Sequence, residues 1–231
     1  MPLASVISVD LRSGTKRRYL DLCRELAEQA RNIHDPLQWT THETQIGRTN
    51  RINFVINAAD FAELDKQGTG DEMVGRVLGE KRALEWLDEV ESCVENQIQE
   101  ISVDRPELSY VSSELSPATM PVAIVSVAQA RPGQQEGCEE LLRRIAEAIP
   151  KVSDSGQIMT YQTVVGDLSR YWTVRPLASL AELDEQLPAT QLLIEAFGAA
   201  EGGLIFRSGL DAIAVVERSI VVYRPEQSSA G

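Results

Sequence analysis

The chain has 231 residues, with 22 Lys+Arg against 35 Asp+Glu for a net charge of −13, and 43% of it is hydrophobic. That length supports one large domain or two of about 115 residues, each able to bury about two thirds of its unfolded surface without a metal or disulfide framework. The acidic balance, with no basic run longer than Lys16-Arg17-Arg18, leaves nothing continuous to neutralise a phosphate backbone, so nucleic acid is not an expected partner.

In chain order, residues 6–11 form a β-branched run ended by Arg12-Ser13-Gly14, a strand and a turn. Tyr19, Leu22, Cys23, Leu26, Ala27, Ala30 and Ile33 then recur at the spacing of one helix face. Residues 37–46 and 51–57 read as a hairpin around Gly47-Arg48-Thr49-Asn50. A helical region over 71–92 is expected to break at Gly79, and a last strand at 94–103 closes on Arg105-Pro106-Glu107.

The remainder repeats this order. A strand at 122–130 precedes Arg131-Pro132-Gly133, and a helix carries Cys138, Leu141, Leu142, Ile145, Ala146 and Ile149 until Pro150 is expected to stop it. Strands at 157–165 and 170–175 flank Gly166-Asp167-Leu168-Ser169. Helices at 189–197 and 204–212 are expected to be parted by Gly198 and the Gly202-Gly203 pair, before a strand at 214–223 and Arg224-Pro225-Glu226.

A shift of 119 residues aligns the two halves: Gly47 falls on Gly166, Arg51 on Arg170, the Ala-Glu-Leu-Asp run 62–65 on 181–184, and Arg105-Pro106-Glu107 on Arg224-Pro225-Glu226. Two copies of one domain are the economical reading. Repeat one spans 1–112, a Ser- and Pro-rich linker 113–121, and repeat two 122–231. Each reads βαββαβ, the ferredoxin-like arrangement in which an antiparallel sheet carries both helices on one face. A tandem duplication covers the bare faces by packing sheet on sheet, giving an α+β fold of two ferredoxin-like repeats.

With that order, the glycines Gly14 and Gly133 entering the first helices and the Gly47 and Gly166 hairpins, the chain resembles the dimeric α/β-barrel superfamily in fused tandem form. The stretch 39–54, WTTHETQIGRTNRINF, is similar to NIPSNAP-like and antibiotic-biosynthesis-monooxygenase-like members. The resemblance implies a menu: cofactor-independent monooxygenases, haem-degrading monooxygenases, muconolactone-type isomerases, chlorite dismutase-like haem enzymes and amino-acid-sensing regulatory domains. Fold alone does not choose among them. Fused chlorite dismutase-like proteins carry a histidine iron ligand in the C-terminal copy, whereas His34 and His42 both lie in the first; a second-copy ligand would have to be Tyr161, Tyr171, Tyr223 or a sulfur residue. The haem-degrading constellation does not map, and no helix-turn-helix accompanies a regulatory reading. No cofactor is expected.

Period two along the second strand puts Thr40, His42 and Thr44 on one face and Trp39, Thr41 and Glu43 on the other, without deciding which is interior. His42 is the candidate proton-transfer group, because imidazole titrates near neutrality; the competing role is a strand histidine bonded to a neighbour. Tyr161 aligns with it, sharing a face with Met159 and Thr163. Arg51 and Arg170 are candidate carboxylate or enolate clamps, weighed against structural ion pairs. Asn53 aligns with Trp172 and Trp39 with Ile158; these aromatics line a pocket or fill core.

Other features carry less. His34, beside Asp35 and Pro36, reads as a helix-end residue, and Glu63, Asp65, Glu182 and Asp184 read as solvated helix acids, so no metal site is expected. Gly68-Thr69-Gly70 lacks the context of a dinucleotide fingerprint. Cys23, Cys93 and Cys138 have no CxxC spacing, and Cys23 reads as a small buried hydrophobe. No apolar run approaches the roughly 18 residues of a membrane span, and the first ten residues hold no basic leader, so a cytoplasmic protein without membrane contact is expected. The leading function is binding of a small hydrophobic or aromatic ligand, as a cofactor-independent monooxygenase or isomerase using His42. The competing reading is a silent module that forms a homo-oligomer through sheet edges or helices.

Overall fold

A computed structural model describes residues 2–112, 116–152 and 156–230; residues 113–115 of the expected linker lie outside them. The chain divides into two compact units that do not follow chain order. One comprises Met1–Ser102 with Val221–Gly231, the other Val103–Ile220.

The first unit runs β1 (Leu3–Leu11), α1 (Lys16–Ile33), β2 (Thr40–Ile46), β3 (Arg51–Ala58), α2 (Phe61–Gln67), α3 (Gly70–Leu78), α4 (Glu80–Cys93) and most of β4 (Val94–Asp104). Its strands lie in the hydrogen-bonded order β4-β1-β3-β2. The predicted stripe of α1 is buried except for Ile33, which is 50% exposed at the helix end. Leu22, Leu26 and Ala27 pack with Trp39, Ile56, Met73, Val74 and Trp86, and Ile7 and Phe54 lean on the same cluster. The helices therefore cover the face carrying Ile7, Val9, Ile52, Phe54 and Ile56.

The second unit repeats the order with β5 (Val122–Ala130), α5 (Gln135–Val152), β6 (Met159–Val165), β7 (Arg170–Leu177), α6 (Ala189–Phe197), α7 (Ala199–Ala212) and most of β8 (Ile213–Tyr223), in the strand order β8-β5-β7-β6. Its core joins Cys138, Leu141, Leu142, Ile149, Ile158, Tyr171, Leu192 and Leu193.

Four local expectations are corrected. The expected strand at 37–46 begins only at Thr40, because the Trp39 carbonyl accepts from the Ser229 and Ala230 amides while the Trp39 amide donates to Ser229 Oγ at 2.9 Å. The first strand starts at Leu3 rather than at residue 6. Helix α5 runs through Pro150 to Val152: the missing N–H forfeits one hydrogen bond in a last turn that is about to end anyway. Gly202 and Gly203 do not interrupt α7, which starts directly after Gly198. Gly202 is there for packing, since a Cβ on it would sit 2.4 Å from the Leu193 carbonyl oxygen of α6.

The Arg-Pro-Glu motifs explain the crossed boundaries. Beyond β4, the Arg105 amide donates to the Thr160 carbonyl of the second unit, the Thr160 amide to Ser109 Oγ, and Thr160 Oγ1 to the Leu108 carbonyl at 2.7 Å. Beyond β8, the Arg224 amide donates to the Thr41 carbonyl of the first unit, the Thr41 amide to Ser228 Oγ, and Thr41 Oγ1 to the Gln227 carbonyl at 2.7 Å. The same clip is thus built twice, each time by a segment that follows the other unit's last strand.

Candidate functional site

Strand alternation puts His42 on the sheet face turned away from the helices of its unit, because its neighbours Thr41 and Glu43 are buried on the helix side. There Glu43 pairs with Lys16 of α1 and with Arg224; burial would raise its pKa, but these two cations outweigh that and hold the carboxyl below its ordinary value. On the other face, antiparallel register sets His42 opposite Asn53 and Asn53 opposite Ser8. Ser8 Oγ donates to Asn53 Oδ1 at 2.9 Å, and His42 Nε2 lies 3.1 Å from Thr40 Oγ1. The Tyr223 ring stands 5.7 Å from the imidazole at 46°. Val6 and Val55 form an apolar rung beside this polar one. Burial, with no carboxylate partner among the described residues, pulls the His42 pKa down to about 4, so the imidazole is neutral at physiological pH. A neutral, desolvated imidazole can accept a proton or a hydrogen bond from a bound molecule.

The aligned rung of the second unit is Val127, Trp172 and Tyr161, paired in the same register. Tyr161 donates its hydroxyl to Met159 Sδ at 3.6 Å, and burial, with the nearby Asp104, raises its pKa. Trp172 Nε1 donates to Thr163 Oγ1 at 3.2 Å, and the Arg170 guanidinium lies 5.0 Å from the Trp172 ring centroid. The first rung thus carries an imidazole, whereas the second pairs Val127 with two aromatic side chains.

The structure brings His42 and Asn53 together, and likewise Tyr161, Trp172 and Arg170. Arg51 is held in a fork with Asp10, Nε to Oδ1 at 2.8 Å and Nη2 to Oδ2 at 2.7 Å, and this bonding keeps the Asp10 carboxyl below its usual range. Asp10, but not Arg51, lines an open groove of about 430 Å³ together with Arg48, Asn50, Glu95 and Asn96. Trp39 is core, its Nε1 donating to the Gln227 carbonyl at 2.9 Å. His34 ends α1 in the left-handed region at φ 55°. Asp60 caps α2 by accepting from the Glu63 amide, and Thr69 caps α3, so Gly68-Thr69-Gly70 is a helix start. Among the described residues no three His, Cys, Asp or Glu side chains converge as metal ligands. Burial pushes the Cys23 thiol up to about 12 and that of Cys138 up to about 11, which makes both poor nucleophiles. The sequence reading did not place Ser8 or Tyr223 at the His42 rung. The hairpin register could have found Ser8; nothing local signals Tyr223, which arrives from 181 residues along the chain.

Solved structures align over nearly the whole chain. An anthrone oxidase-like protein matches 100% of it, over 94% of its own length, at 11% identity and a TM-score of 0.60. A candidate monooxygenase from Fusobacterium nucleatum matches 96%, over 92% of its own length, at 8% identity and 0.59. Chlorite dismutase from Candidatus Nitrospira defluvii matches 97%, over 92% of its own length, at 9% identity and 0.55. The chain shares the α+β fold of these structures. Within it, these likenesses at low identity establish architecture and not chemistry. No family model and no curated protein matches the sequence. No helix among the described residues is long and apolar enough to cross a membrane.

Proposed function

We propose that the protein is a small-molecule enzyme of the dimeric α/β-barrel type, a cofactor-independent monooxygenase acting on a hydrophobic substrate with an acidic C–H or phenolic proton. The observation that carries this reading is the Ser8-Asn53-His42 rung, in which a neutral, desolvated imidazole stands next to hydrogen-bonding groups and an apolar rung. His42 Nε2 takes the proton, and the imidazolium so formed is stabilised by the substrate anion beside it; without that anion, burial makes His42 a poor base. Asn53 and Thr40 orient the anion. For a ring methylene oxidised to a carbonyl, dioxygen supplies one atom to the product and leaves as water with the other atom and both methylene hydrogens, so no external reductant is consumed. The names of two structural neighbours, a candidate monooxygenase and an anthrone oxidase-like protein, favour this choice from the menu.

The test is dioxygen uptake with anthrone as probe. The intact protein is expected to exceed the uncatalysed rate, and His42→Ala to lose about a hundredfold or more of that excess while remaining folded. Absence of anthrone-dependent uptake, or full activity in folded His42→Ala, overturns the reading. A second reading, a non-catalytic assembly module, is favoured by Val215 and Val216 on β8, which are 49% and 50% exposed. Native mass spectrometry showing a stable oligomer that Val216→Lys dissolves would support it.

A further inference from the structure

On the helix-side face of the second sheet, one row crosses four strands: Thr160 of β6, Thr173 of β7, Ser126 of β5 and Arg218 of β8. Arg218 Nε donates to Ser126 Oγ at 3.2 Å, and Thr173 is buried. One rung further, Arg175 stands opposite Ile124 on the same face. The Arg175 guanidinium is partly buried, and its Nε is buried without an acceptor among the described residues. No ion pair to it occurs among them either; the charged neighbour acting on it is Arg218, which adds repulsion to desolvation and lowers its pKa. Burying part of a guanidinium with no anion beside it among the described residues is costly, and Arg175 stands next to a second cation.

Comparison with the first unit shows that this is not a requirement of the fold. The positions 119 residues earlier are Ile7, Phe54 and Ile56, all packed in the apolar cluster under α1, α3 and α4. At those places the second unit has the polar residues Ser126, Thr173 and Arg175. Large apolar groups are replaced by two smaller hydroxyl-bearing side chains and by one guanidinium, which supplies charge.

We propose that Arg175, with Arg218, Ser126 and Thr173, forms a binding site in the second unit for a small organic carboxylate with an apolar body. The carboxylate pairs with the fork of Arg175, and the Ser126 hydroxyl beside Arg218 donates to it. Thr173 Oγ1 can turn to it from the Ser126 carbonyl to which it donates at 3.5 Å, and Ile124, opposite Arg175, flanks the apolar part. This site does not rest on the oxygenase reading of His42.

Benzoate is the probe, titrated by calorimetry into the full chain at fixed ionic strength, with benzyl alcohol and inorganic phosphate as controls. Saturable 1:1 benzoate binding is expected, weakened about tenfold or more in Arg175→Met. Arg175→Met also melts at a higher temperature than the unliganded parent, because an unpaired buried charge has been removed, whereas a structural arginine would lower it. Three outcomes overturn the proposal: no saturable benzoate binding, equal binding by folded Arg175→Met, or phosphate binding at least as tightly as benzoate.

Discussion

His42 is the residue whose environment decides most. Its folded-state pKa of about 4 lies below the ordinary 6.5, so as pH falls the unfolded chain takes up the proton first. The stability that a neutral His42 contributes is complete above about pH 6.5 and is lost progressively towards pH 4, by about 3 kcal/mol. Denaturant melts across that window should show the loss in the parent and a flatter profile in His42→Gln; parallel profiles would mean the imidazole is solvated. Asp10 has the opposite chemistry: Arg51 holds its carboxyl low, so Asp10→Asn should cost about 1 kcal/mol at pH 7, measured by chemical denaturation, with the difference shrinking in acid. The sequence pointed to His42 through imidazole chemistry and period two. It did not reveal that no carboxylate among the described residues faces the ring, because burial and partners depend on which segments arrive from elsewhere. Nor did it single out Arg175, although the contrast of Arg175 with Ile56 was readable once the halves were aligned.

The helices were legible as elements because their apolar spacing is strong, and α1 buries the residues its stripe predicted apart from Ile33. Glycines were harder to read, since a turn and a close helix crossing both call for the smallest residue. Gly79 and Gly198 are breaks with φ near +75° and +86°, whereas Gly202 lies inside α7 against the α6 backbone. Two neighbouring substitutions separate these roles. Gly202→Ala forces a Cβ to within 2.4 Å of the Leu193 carbonyl and should destabilise by about 2 to 4 kcal/mol. Gly203→Ala meets nothing within 4 Å in a helix interior and should stabilise by about 0.5 to 1 kcal/mol. Thermal melts of the two variants check the signs, and equal effects would mean that helix propensity alone governs this turn.

At the scale of the whole molecule, the βαββαβ order and its repetition were readable from turn signals and the 119-residue shift. The ownership of the segments that follow the last strands was not. Arg-Pro-Glu looked like a strand ending in both halves, and only the hydrogen bonds of Thr41 and Thr160 show where each ending is bound. Each clip includes a buried threonine hydroxyl bonded to a carbonyl, so Thr41→Val and Thr160→Val should each cost about 1 to 2 kcal/mol. Hydrogen exchange should speed up in the unit that carries the substitution. Protection lost equally from both units in each variant would contradict this assignment.

The crossed clips also bear on biosynthesis. A ribosome delivers residues 1–102 before the second unit, yet the Thr41 clip is made from residues 224–228, which follow that unit. The second unit receives its Arg105 segment before its own first strand is translated. The earliest half to emerge is therefore the last to be fastened. A released chain truncated after residue 220 should hold a protease-resistant second unit and a first unit that is still open to cleavage around β2.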